Sequence, residues 1–416
     1  MIYSSPANLG VIACPGSESF ADEMLSHLKN GYRRIFNNMT EEFSKRYKQK
    51  NEEILSRINF INDVINSPTN FQQAVEKVRI PKIKIPARFT CFANGEIKAE
   101  ILESIRGRDI YIVQDVENRY PINFNNGELI KSFSINDHLM TLFVTVDAAK
   151  SAGAGRITLV LPVYPYSRQH RSKGREGVTA GRLGKNFEAL GVDRIITLDI
   201  HSREIANTFN FMRLENLHAS YQITRALLTH LPGILSDDFV VVSPDTGAVD
   251  RNKFYANALK KNLALLYKER NYERVTRDAA DNNISEVRLL GDVRDKTVFM
   301  ADDMLGTGGT LLNAMKFLKS QGAGKVICAI SLPIFSGNAI NHFDEAYKEG
   351  LFYRIIGTNA VYHEELLKRE WYINVNITRL FAKTITRLHH GLSLSSILDN
   401  RSIIVKLLSE SPSTAS

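Results

Sequence analysis

Residues 296–311 read Lys296-Thr297-Val298-Phe299-Met300-Ala301-Asp302-Asp303-Met304-Leu305-Gly306-Thr307-Gly308-Gly309-Thr310-Leu311. The run from Thr297 to Ala301 is apolar enough for a buried parallel strand, and Leu311, Met315 and Leu318 recur behind it at helical spacing. Asp302 and Asp303 are therefore expected at the carboxyl end of a strand. Thr307, Gly308, Gly309 and Thr310 are expected in the turn into a helix, where glycines let the backbone close and free N–H groups face an anion. Carboxylates for vicinal hydroxyls beside amides for a phosphate suit a phosphorylated sugar. Either half alone would serve as an ordinary capped turn; both together, at this spacing, favour a site.

The same rhythm extends in both directions. Apolar runs at 109–114, 157–163, 195–199, 239–243, 263–267, 326–332 and 353–356 alternate with helical patterns near 137–151 and 179–190. Strands alternating with helices imply parallel sheets covered on both faces, with function at the strands' carboxyl ends. Acids stand at several of those ends: Asp199 with His201, Asp245 after Ser243-Pro244, and Asp302 with Asp303. Two similar α/β domains are expected, 1–217 and 218–376, with a C-terminal helix at about 377–405 completing the first. Residues 32–84 break the rhythm. Phe43, Tyr47, Ile54, Ile58, Ile61 and Ile65 recur at helical spacing after Thr40-Glu41-Glu42, which reads as a helix N-terminus. An inserted charged amphipathic helix or helical hairpin is expected there, either packed on its own domain or acting as an oligomer contact or regulatory arm.

Composition bounds the function. The 416 residues, 44% of them hydrophobic, suffice for substantial cores, and no apolar run approaches the ~20 residues of a membrane span. Cys14, Cys91 and Cys328 are odd in number and widely spaced, which suits a reducing cytoplasm better than a disulfide framework or a zinc site. The formal charge is +8, but twelve Lys or Arg against six Asp or Glu between Gly31 and Arg88 account for +6 of it. A surplus confined to one segment does not call for a nucleic-acid partner. No Gly-x-x-x-x-Gly-Lys-Ser/Thr sequence occurs, which excludes a P-loop kinase.

Three further motifs fall at strand ends. Phe92-Ala93-Asn94-Gly95-Glu96 lies between two expected strands, where Asn-Gly serves a turn. Tyr164-Pro165-Tyr166-Ser167-Arg168-Gln169 leaves Arg168 in position for a phosphate. Lys268-Glu269-Arg270 closes a strand and opens a polar stretch reaching Ser285, read as a lid with two cations at its root.

Together these motifs resemble the ribose-phosphate diphosphokinase (PRPP synthase) family, in order and over most of the chain from Leu9 to about Val405. Ser104 to Gln114, Leu332-Pro333-Ile334-Phe335-Ser336-Gly337 and Arg387-Leu388-His389-His390-Gly391 add to the match. The resemblance implies two type I phosphoribosyltransferase-like domains, each a mainly parallel sheet flanked by helices. It implies ATP binding by Phe92, Asn94, Glu96, Arg168 and Gln169. Ribose 5-phosphate would be bound by Asp302, Asp303, Thr307, Gly308, Gly309 and Thr310, Mg2+ by His201 and Asp245, and catalysis would fall to Lys268 and Arg270. It implies diphosphoryl transfer from Mg·ATP to ribose 5-phosphate and self-association as a dimer-based oligomer, a hexamer among the forms, with no nucleic-acid or membrane partner. The departures are Gly306 where the family usually has a third Asp, His218 for a Tyr after Asn216-Leu217, an altered stretch from His170 to Glu176, an expansion at 117–134 and a longer lid. A catalytically weak regulatory subunit is the rival reading, and a phosphoribosyltransferase that consumes PRPP is the second.

Overall fold

The computed structural model describes residues 8–57, 82–172, 174–270 and 284–410. In chain order the first elements are β1 (Leu9–Ala13), α1 (Glu18–Tyr47), α2 (Asn51–Arg57), β2 (Ala87–Cys91), β3 (Ile97–Ile101), β4 (Asp109–Val113), β5 (Ile122–Phe124), β6 (Leu129–Lys131), α3 (Ile135–Ser151), β7 (Arg156–Val160), α4 (Thr179–Ala189), β8 (Arg194–Leu198) and β9 (Arg213–Leu217). There follow α5 (Ser220–His230), β10 (Phe239–Ser243), α6 (Val249–Leu259), β11 (Leu263–Arg270), β12 (Ile284–Leu290), β13 (Thr297–Leu305), α7 (Gly309–Ser320), β14 (Val326–Pro333), α8 (Ala339–Lys348), β15 (Arg354–Thr358), α9 (Glu364–Leu367) and β16 (Tyr372–Val375). The chain closes with α10 (Thr378–His389), α11 (Ser395–Leu398) and α12 (Arg401–Ser409).

Two compact units emerge. The first holds the described residues up to Leu217 together with Thr378–Leu398; the second holds His218–Ile377 and the described residues from Asp399 onward. In the first, a parallel sheet runs β1-β4-β7-β8-β9; in the second, β12-β11-β10-β13-β14-β15-β16 is parallel except for antiparallel β12. The expected α/β class holds in both. Central strands are buried along their length, as in Asp109–Val113 and Val326–Pro333, because helices cover both faces.

The first unit draws α10 onto itself. Phe20 of α1 meets Phe381 of α10 edge to face at 5.4 Å. His389 Nδ1 donates to Asp109 Oδ2 at 2.7 Å, Arg156 Nε donates to Asp109 Oδ1 at 2.8 Å, and Arg156 Nη2 also reaches Oδ2. Burial pushes the Asp109 carboxyl up, but the bonds from His389 and Arg156 outweigh it and leave the group below its ordinary 3.8. The tail beyond Leu398 leaves this unit: Asn400 Nδ2 donates to the His218 carbonyl and to Ser220 Oγ in the second. The reading that assigned 377–405 as one helix to the first unit thus meets a tail divided near Asp399.

The inserted segment also differs from its sequence reading. No helix starts at Thr40; α1 runs unbroken from Glu18 to Tyr47 and buries the Thr40 side chain. Ala21, Met24, Leu25, Leu28 and Tyr32 form a continuous buried stripe, so the helix of the domain itself extends into the charged segment. Gly31 interrupts nothing, since it faces open space. The chain then turns at Lys48 in the left-handed conformation and enters α2, a helical hairpin in its described part. Ile58, Ile61 and Ile65 lie outside the described residues.

The Asp109 cluster makes the first unit acid-sensitive. A carboxylate held below its unfolded value stabilises the fold above pH 3.8, and that contribution is lost as pH falls through the lowered folded value. Asp109→Asn is expected to lose roughly 3–5 kcal/mol of unfolding free energy, the cost of breaking a buried pair, and to show a flatter stability profile between pH 4 and pH 2. Denaturant unfolding across that range checks both.

Candidate functional site

In the second unit β13 outruns its neighbour. It pairs with β10 from Thr297 to Phe299 only, whereas β14 follows it from Val298 to Leu305. On the β10 side Asn252 of α6 takes over: its Oδ1 accepts from the Ala301 amide and its Nδ2 donates to the Ala301 carbonyl, both at 2.8 Å. A side-chain amide thus replaces a missing strand, and β13 continues to Leu305 where the sequence reading ended it at Ala301. Asp302 and Asp303 follow directly. Asp302 Oδ1 accepts from the Asp303 amide at 2.8 Å. Burial first, and then the neighbouring Asp303 charge, push Asp302 up to about 7, with Arg251 opposing the rise.

The turn beyond Leu305 is held by the segment after β14, where the Phe335 and Ser336 amides donate to the Leu305 and Gly306 carbonyls. Gly308 caps α7 at φ 78°, and a Cβ there would lie 2.4 Å from the Phe343 ring. Backbone and packing both demand glycine at this position. Gly309 has no such duty: nothing lies within 4 Å of where its Cβ would be. The first helical acceptor is the Gly308 carbonyl, which takes the Leu312 amide, so the amides before Leu312 have no intrahelical partner. Exposed Thr307, Gly309 and Thr310 therefore present N–H groups and hydroxyls at a helix N-terminus, a few residues from two acids.

Asp245, after β10, accepts the Ala248 amide through Oδ1 at 2.9 Å, which is a cap for the turn into α6. Its other oxygen has no partner among the described residues. Lys268 and Arg270 belong to β11, opposite Val287 and Ile284 of β12. The root of the expected lid is thus a strand pair; their side chains and residues 271–283 lie outside the described residues.

The first unit carries the other motifs. The β2–β3 hairpin turns through Phe92–Glu96, with the Phe92 amide on the Glu96 carbonyl and Asn94 Oδ1 accepting from the Glu96 amide. Asn94 is therefore engaged in the turn, while Phe92 and Glu96 stand exposed. Asn125 clamps this hairpin at its base: Oδ1 accepts from the Cys91 amide at 2.9 Å and Nδ2 donates to the Cys91 carbonyl at 3.0 Å. The 117–134 expansion that supplies Asn125 contains the β5–β6 hairpin, packed through Ile122, Phe124 and Phe133 against Cys91. After β7, the Gln169 amide donates to the Tyr166 carbonyl and the Gln169 carbonyl accepts the Ala180 amide, leaving Arg168 and Gln169 exposed. Burial raises the nearby Glu117 carboxyl; Arg119 and then Arg168 oppose the rise. His201 follows β8 through Asp199, which adopts φ 38°, and Ile200, whose amide is held by Asn216 Oδ1 at 2.9 Å.

Among the described residues no group of three or more His, Cys, Asp or Glu could hold a metal ion. His201 of the first unit and Asp245 of the second are each a single donor of a kind that a hydrated cation accepts. The asparagine clamps escaped the sequence reading. For Asn252 a signal existed, because it shares the helical spacing of the buried Tyr255, Ala256 and Leu259.

A family model for the N-terminal domain of ribose phosphate pyrophosphokinase matches residues 65–191, and one for the phosphoribosyl transferase domain matches 213–363. Ribose-phosphate pyrophosphokinase A of Dictyostelium discoideum is 35% identical over 311 residues, which cover 74% of this chain and 88% of that protein. Ribose-phosphate pyrophosphokinase 3 of Saccharomyces cerevisiae is 32% identical over 309 residues, covering 74% and 87%. The crystal structure of phosphoribosylpyrophosphate synthetase from Mycobacterium smegmatis matches with a TM-score of 0.66 at 25% identity, over 92% of this chain and 99% of that one.

Two experiments probe the β13–α7 segment. Asp302 keeps a proton in the fold that it loses near 3.8 in the unfolded chain, so stability is full below 3.8 and falls as pH rises toward 7. Asp302→Asn removes that fall: thermal melts are expected to show little change at pH 4 and a higher Tm than wild type at pH 8. Gly308→Ala is expected to lower Tm because its Cβ enters the Phe343 ring. Gly309→Ala should leave Tm within a degree or two while weakening phosphate binding, about the effect expected at an open site.

Proposed function

The chain belongs to the ribose-phosphate pyrophosphokinase family, and from that premise we propose that it transfers the β,γ-diphosphoryl group of ATP to O1 of ribose 5-phosphate, giving PRPP and AMP. The observation that carries the reading is the pair Asp302 and Asp303 on β13, a few residues before the open amides at the start of α7. Asp302 and Asp303 accept hydrogen bonds from the ribose 2- and 3-hydroxyls, which fixes the sugar. Thr307, Gly308, Gly309 and Thr310 hold the 5-phosphate with backbone N–H groups and hydroxyls. The anomeric hydroxyl is thereby positioned to attack the β-phosphorus of ATP, and AMP departs with the electrons of the broken bond.

Phe92 offers a ring face to adenine, with Asn94 and Glu96 beside it, and Arg168 and Gln169 contact the triphosphate. Lys268 and Arg270 bring positive charge to the transferring group, which gains most in the transition state. His201 and Asp245 are the residues the family resemblance assigns to Mg2+, which when bound would neutralise phosphate charge. The same reading includes a dimer-based oligomer, a hexamer among its forms, working in the cytoplasm without nucleic acid or membrane. Among the described residues no helix is long and apolar enough to cross a membrane.

A weak regulatory subunit is the second reading, favoured by Gly306, which is buried, has no carboxylate to offer and whose carbonyl accepts from the Ser336 amide. Purified protein incubated with Mg·ATP and ribose 5-phosphate is expected to form AMP and PRPP in equal amounts. Nucleotide binding without turnover would assign the chain to the regulatory role. Lys268→Ala is expected to lower kcat by about two to three orders of magnitude with an unchanged melt, the usual loss for a transition-state cation; full activity would remove Lys268 from the mechanism.

A further inference from the structure

His170 ends the turn after β7 and His201 follows β8, adjacent strands of the first unit's sheet. Their ring centroids lie 5.3 Å apart with the planes at 66°. Nδ1 of His170 is buried and has no hydrogen-bond partner. A polar nitrogen removed from water and left unpaired is costly, so this imidazole is held at an expense that the fold itself does not recover.

Both rings are mounted on anchored backbone. Gln169, immediately before His170, is bonded through its amide to Tyr166 and through its carbonyl to Ala180. His201 follows the Ile200 amide held by Asn216 and the left-handed Asp199. The spacing has a chemical meaning. With metal–nitrogen bonds of about 2.1 Å and about 1.1 Å more to each ring centre, two imidazoles at a tetrahedral angle on one cation have centres about 5.2 Å apart. Ring stacking alone accounts for an edge-on pair at this distance, but not for a buried nitrogen left without a partner.

We propose that His170 and His201 form a two-imidazole site for a borderline divalent cation such as Co2+, Ni2+ or Zn2+. The site rests on the metal role proposed above for His201 and adds His170 as a second ligand. Imidazole nitrogen suits these ions, whereas Mg2+ prefers carboxylate, carbonyl and water oxygens, so the second imidazole biases the chain toward them. Arg168 and Arg171 flank His170 and oppose any cation until phosphates neutralise them, which keeps the bare site weak.

The test uses untagged full-length protein, without nucleotide, titrated calorimetrically with Ni2+ and separately with Mg2+. Wild type is expected to bind Ni2+ at least tenfold more tightly than Mg2+. His170→Ala should lose at least tenfold of the Ni2+ affinity while its Mg2+ affinity stays unchanged; His170→Gln should behave alike and guards against a folding artefact, as does an unchanged melt. His201→Ala should weaken both ions. If His170→Ala binds Ni2+ like wild type while His201→Ala does not, the two-imidazole site is wrong and the role of His201 stands. If His201→Ala binds both ions like wild type, both fail.

Discussion

Asn252 binds the amide and carbonyl of Ala301 as a neighbouring strand would, and the placement of Asp302 and Asp303 depends on that pair of bonds. A parallel strand that continues past its neighbour exposes backbone groups that must be satisfied, or the strand frays. The carboxamide carries one donor face and one acceptor, so it can close the ladder at a single residue and then release the chain. The same device recurs in the first unit. Asn125 clamps Cys91 one residue before Phe92, and Asn216 holds Ile200 one residue before His201. In each case the residue after the clamp is one of the proposed site residues: Asp302, Phe92 or His201. Backbone held rigid at the clamped residue fixes where the next side chain stands.

Holding acids in this way has an energetic cost, visible in the raised Asp302 carboxyl. Two carboxylates side by side at the end of a buried strand repel until something shares the site. On the proposed reading, sugar hydroxyls would donate to them and amides at the start of α7 would take the phosphate, so that ligand binding would offset this repulsion. The two glycines divide the remaining work. Gly308 serves the fold, because Phe343 occupies the space where its side chain would be; Gly309 serves the opening, because nothing does. Adjacent identical residues thus carry opposite kinds of constraint.

Much of this was legible in sequence because the signals are local. The apolar runs that became β4, β7, β10 and β14 are buried on both faces, and such runs announce themselves without knowledge of their neighbours. The acids at 302 and 303 and the glycines behind them were legible for the same reason. What depended on distant partners was not. β13 reaches Leu305 because β14 follows it there, and β11 reaches Arg270 because β12 returns alongside it. The edge strands β9 and β16 are short and partly polar, and their strand character comes from pairing with β8 and β15. Thr40 read as a cap because Glu41 and Glu42 follow it, yet the stripe from Ala21 to Tyr32 lies on a helix already under way. A capping preference of about 1 kcal/mol does not stop a helix that tertiary packing has carried past that point.

The C-terminal tail shows how far such non-local control extends. Asp109 stands at the start of a central strand, where a lone buried carboxylate would be costly; Arg156 answers one side of it and His389, 280 residues later, answers the other. Asn400 then bonds His218 and Ser220 at the opening of the second unit. Each unit therefore completes its polar interior only with residues made last, and neither is finished when its own sheet is. A chain ending near Val375 would keep the strands of both sheets and every family motif except Arg387–Gly391. It would also leave Asp109 without its imidazole and α1 without the α10 face that Phe20 meets. The burial that α1 depends on is thus supplied from the far end of the sequence, which is why the inserted segment and the tail have to be understood together.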